Sequence, residues 1–97
     1  MQESQLRIYN EIQNIFNKNL NDNKTRLLTT LAYILLSGNK NSIELYVKLA
    51  KTYGASKQDF LKIFNCIIGD INLLDSLFEF LRIINENFKE IKNDRTF

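Results

Sequence analysis

The chain has 97 residues, 44% hydrophobic and 25% charged, with no proline and three glycines, the composition of one folded domain around a single core. It holds no histidine and one cysteine, Cys66, which excludes within the chain a Ser-His-Asp triad, a Cys-His pair, a Cys-x-x-Cys couple, a histidine-based metal site and an internal disulfide. Thirteen basic against eleven acidic residues leave a net charge of +2, too mild to announce a nucleic-acid or anionic-membrane partner.

Apolar residues recur at intervals of three and four, so the pattern predicts five helices, no strand and no internal repeat. The first helix is expected over residues 4–18, with Ile8, Ile12, Ile15 and Phe16 as its stripe and Tyr9 widening it. An asparagine-rich stretch, 17–23, then favours turns and caps. The second helix is expected from Lys24 to just before Gly38, and its apolar residues cover nearly the whole circumference, as in a helix surrounded on all sides.

A third helix is expected over 41–53, with Ile43, Tyr46, Val47 and Ala50 facing one way and Gly54 as its stop. Ser56 with Asp59 three residues on has the form of a capping box and opens a fourth, with Phe60, Ile63, Phe64 and Ile67 as its stripe. After Gly69 a long fifth helix is expected over 70–91, followed by a frayed tail at 92–97. Helices two and five together carry more apolar surface than a domain this small is expected to bury alone, which predicts a homo-oligomer. The opening residues lack a secretory signal, and the longest dense apolar run, 27–36, is about half the roughly 20 residues that span a bilayer. A cytoplasmic protein without membrane association is expected.

The run Asn23-Lys24-Thr25-Arg26-Leu27-Leu28-Thr29-Thr30-Leu31-Ala32, the turn at Gly38, Ala50, the Gly54-Ala55-Ser56 segment and the helix from Asp59 together resemble the carboxymuconolactone decarboxylase and alkylhydroperoxidase D-like family over residues 22–88. The resemblance implies a single all-α domain over 1–97, a five-helix bundle of that type, assembled as a dimer, trimer or hexamer. Redox members of the family carry a Cys-x-x-Cys, a histidine four residues after its second cysteine, and a glutamate just after the "KTR" segment. Alignment on Gly54 puts Asn39 and Ser42 at the cysteine positions, Tyr46 at the histidine and Leu27 at the glutamate. Neither asparagine nor serine forms a disulfide, and neither tyrosine nor leucine exchanges protons near neutral pH.

The expected role is therefore a non-catalytic, oligomeric small-molecule-binding or scaffolding domain with no cofactor and no metal. Leu27, Asn39, Ser42 and Tyr46 mark the degenerate site and a candidate pocket lining for an unspecified small molecule. A rival from another class is a helix-turn-helix over 43–65, with Gly54 four residues after Ala50, with Leu49, Tyr53, Phe60 and Ile63 at the packing positions, and with Lys57, Gln58 and Lys62 of helix 56–68 towards DNA. Nucleic acid is the less favoured partner, because few cations are available for phosphate.

Overall fold

The computed structural model describes residues 3–16 and 22–89, and among these it is all-helical. Five α-helices follow one another: α1 (Glu3–Phe16), α2 (Asn23–Leu36), α3 (Ile43–Thr52), α4 (Lys57–Ile67) and α5 (Leu74–Asn87). The expected end of the first helix beyond Phe16, most of the asparagine-rich stretch and the 92–97 tail lie outside the described residues.

The helix starts follow from side-chain chemistry. Asp22 accepts from the Lys24 amide at 3.3 Å and so takes up one of the orphan donors at the start of α2. At α4 the capping box is complete: the Ser56 hydroxyl accepts from the Asp59 amide at 3.2 Å, and the Asp59 carboxylate accepts from the Ser56 amide at 3.0 Å. Removing the hydroxyl orphans one donor, so Ser56→Ala is expected to cost about 1 kcal/mol, read as a lowered urea midpoint by circular dichroism.

Two starts differ from the expectation. The helices expected from Asn41 and Asp70 are each preceded by one 3-10 turn, Lys40–Ser42 and Ile71–Leu73, so that α3 begins at Ile43 and α5 at Leu74. A short polar side chain stands before each turn: Asn39 accepts from the Asn41 amide and Asp70 from the Asn72 amide, each at 3.0 Å. The stops are glycine-based: Gly38 (φ 76°) and Gly54 (φ 99°) take left-handed backbone after α2 and α3.

The core is one cluster. Ile12 of α1, Leu28, Leu31, Ala32, Leu35 and Leu36 of α2, Ile43, Val47 and Ala50 of α3, Phe60, Ile63 and Ile67 of α4, and Leu77, Phe80, Ile83 and Ile84 of α5 are all buried. α2 is the central helix and packs against each of the other four, as its wide apolar girth predicts. Phe60 meets Phe80 edge-on at 6.3 Å and lies 5.7 Å from Phe88, which ties α4 to α5.

Much of the apolar surface that the sequence marks as surplus is thus buried within one chain. What stays outside is specific: Tyr33, Leu45, Tyr53, Ile68 and Phe78 are each more than half exposed. Among the described residues no helix is long and apolar enough to cross a membrane.

Candidate functional site

Of the four positions singled out by the family resemblance, Asn39, Ser42 and Tyr46 fall at the junction of α2 and α3 and Leu27 near the opposite end of α2, and the structure gives most of them local work. Leu27 is half-buried on the first turns of α2 and packs against the core. Asn39 is exposed, with its carboxamide oxygen occupied by the Asn41 amide. Ser42 holds the residue position before α3 and is half-buried, but its hydroxyl makes no cap hydrogen bond. Tyr46, one turn further, is half-buried and rests against the core. All four side chains are uncharged at neutral pH, so these positions carry neither a thiolate nor a proton shuttle.

The one thiol lies elsewhere. Cys66 sits half-buried on α4, where α4 packs against α1. Burial pushes its pKa up, and the nearby Glu11 carboxylate adds to this by its charge and by a hydrogen bond. At neutral pH it is a protonated thiol and a weak nucleophile. Alkylation of Cys66 by iodoacetamide is expected to titrate above an ordinary free cysteine, and Glu11→Gln is expected to move that midpoint back down. A rate already maximal at pH 7 would contradict the assignment.

A concavity that the sequence reading missed lies beside the junction. A cleft of about 580 Å³ is lined by Gln5 of α1, Tyr33, Leu36, Ser37 and Gly38 at the end of α2, and Asn72 and Leu73 before α5. Its lining carries no ionised group. Tyr33 leans edge-on against Tyr9 at 6.0 Å, and the Ser37 hydroxyl donates to the Tyr33 carbonyl at 2.8 Å. The residues come from three stretches far apart in the chain. The one residue of the lining that stands out in the sequence is Tyr33, a large aromatic within the apolar run of α2. Leu27, Asn39, Ser42 and Tyr46 are not part of this lining.

Several of the remaining charged groups are paired: Lys24 with Asp59, Lys48 with Glu44, and Arg82 with two glutamates. Arg82 donates to both Glu79 and Glu86 on the outer face of α5, at 2.6 and 2.9 Å. Its hydrogen bond holds the Glu79 pKa below the usual carboxylate value. Among the described residues no group of three or more His, Cys, Asp or Glu side chains converges on a common point.

The residues assigned to the DNA-facing alternative, Lys57, Gln58 and Lys62, are exposed on α4. Of the packing positions assigned to that motif, Phe60 and Ile63 are buried, Leu49 is half-buried and Tyr53 is 53% exposed, and α4 packs against α1, α2 and α5 with little contact to α3.

Compared with protein-family models, curated proteins and solved structures, the chain shows no significant match to any of them.

Proposed function

We propose that this chain is a non-catalytic, self-assembling helical domain of the alkylhydroperoxidase D-like type, whose function lies in its surfaces rather than in bond-making chemistry. The observation that carries the reading is the chemistry of the four family positions. Each holds an uncharged side chain, and Asn39, Tyr46 and Leu27 are occupied with turn formation or core packing. The half-buried Cys66 on another helix, its pKa pushed up by burial and by Glu11, is a poor substitute nucleophile. The exposed Tyr33, Leu45, Tyr53, Ile68 and Phe78 are large apolar side chains that assembly would take out of water.

Multi-angle light scattering at micromolar concentration tests the assembly. The expected mass is an integral multiple, two or more, of the chain mass; the mass of a single chain at all concentrations would contradict the reading.

A second reading, a small-molecule site, draws on the cleft at Tyr33, Ser37 and Asn72. Its uncharged lining favours a neutral ligand with hydrogen-bonding groups and one flat face for the tyrosine ring. The DNA-binding alternative draws on the three exposed side chains alone, with the α3–α4 packing against it.

A further inference from the structure

α1 is attached to the bundle differently from the other four helices. Of its 14 residues only Ile12 is buried, against six in α2, three in α3, three in α4 and five in α5. Ile8, Tyr9 and Phe16 are half-buried beside Ile12, so one narrow apolar ridge carries the helix. Along this ridge α1 packs on α2 and α4, with Tyr9 edge-on to Tyr33. The other apolar residues of α1 lie largely in water, Leu6 being 49% and Ile15 39% exposed.

The first half of α1 also borders open space. The cleft of about 580 Å³ at Tyr33 reaches Gln5, and a second cleft, of about 270 Å³, lies between Ser4 and Ile8 of α1 and Gly69 and Asp70 after α4. The remainder of the fold, in contrast, is closed on itself. α2, α3, α4 and α5 pack on one another in every pairing but α3 with α4, and every buried apolar residue of the core cluster except Ile12 belongs to them or to their connections. Loss of α1 thus removes one fully buried side chain and parts of three, and leaves the contacts among the other four helices in place. A helix of 14 residues without its ridge contacts is marginal in water, so release and unwinding coincide.

We propose that α1 is a releasable strap, which leaves the bundle and unwinds as one unit while α2–α5 stay folded. This goes beyond the proposed assembly and does not depend on it. Gln5 forms part of the wall of the larger cleft, and Ser4 and Ile8 part of the wall of the smaller, so release opens both at once. It also uncovers Tyr33, which Tyr9 shields on one side, and the Cys66 side chain, which Glu11 faces. Access to the Tyr33 cleft and to the one thiol is set by the docking of this helix, as by a lid.

The experiment is amide hydrogen exchange on the full chain, followed residue by residue by NMR under conditions where the rate reports the opening equilibrium. In the wild type the amides from Ile8 to Phe16 are expected to exchange as a group, at least about tenfold faster than those of Leu31, Leu35, Phe80 and Ile83. Their rates are also expected to rise less steeply with urea, because release exposes less surface than unfolding. Ile84→Val, a small loss in the core of α5, is expected to speed exchange in α2–α5 by about two- to tenfold and to leave α1 unchanged, since the released state keeps that packing. Ile12→Val is expected to speed both groups alike, because the docked state alone holds that contact. Ile84→Val speeding α1 as much as the rest, or equal wild-type rates in α1 and α2–α5, would overturn the proposal, the helix then opening only with the whole domain. Exchange in α1 that is fast at Ile8 and slows stepwise to core rates by Ile12 would overturn it as well, as the mark of fraying from one end.

Discussion

Phe60→Ala is expected to lose about 3–5 kcal/mol of stability, the usual cost of emptying a large aromatic site in a core. The side chain is fully buried and is the point where α4 meets α5 through Phe80 and Phe88. Alanine leaves a cavity between α4 and α5, which are joined by a short connection and held by their other neighbours, so collapse around it is restricted. Domains of this size are stable by about 5–15 kcal/mol, so a loss on this scale removes a large part of the total. Urea unfolding followed by circular dichroism at 222 nm, a conventional helix wavelength, reads it as a large drop in midpoint at unchanged slope. A midpoint within experimental error of the wild type would mean that Phe60 is not in the core.

Leu31→Asp is expected to abolish cooperative folding at neutral pH. Leu31 is fully buried on α2, the helix that touches all the others, and no cation lies among the buried residues of the core cluster to meet a carboxylate there. An unpaired charge in such a site costs several kcal/mol even after the surroundings relax, and the lost leucine contacts add about 2–5 kcal/mol. The sum reaches the whole stability of the domain. Leu31→Ala separates the two contributions, because it keeps a cooperative transition with a lower midpoint. A Leu31→Asp chain that melts like the wild type would remove α2 from the centre of the fold.

Much of this architecture is legible in the sequence because local chemistry and tertiary packing agree. Ser56 and Asp59 read as a capping box and form one; Gly38 and Gly54 read as stops and adopt positive φ; the apolar girth of α2 reads as a central helix and packs as one. The differences arise where a short polar side chain competes with the helix. Asn39 and Asp70 each stand before a 3-10 turn, and apolar periodicity carries no information about that tightening.

The candidate site is legible in a different sense. The resemblance points to Leu27, Asn39, Ser42 and Tyr46, and the chemistry of those residue types already argues against catalysis. Their burial and partners come only from the structure. The Tyr33 cleft and the exposure of Ile68 and Phe78 were missed for a common reason. Each depends on which side of an apolar helix faces outward, and where apolar residues cover more than one side of a helix the sequence pattern cannot say which side is used. Tyr53 shows the same ambiguity: it reads as a packing residue of a helix-turn-helix and stands half in solvent.

The proposal that the chain lacks the redox chemistry of the family it resembles is tested most directly by its turnover of an organic hydroperoxide with a dithiol as reductant, compared with Cys66→Ser. The account predicts that the two proteins consume hydroperoxide at the same rate, that of the reductant alone. Sustained turnover by the wild type that disappears in Cys66→Ser would contradict it.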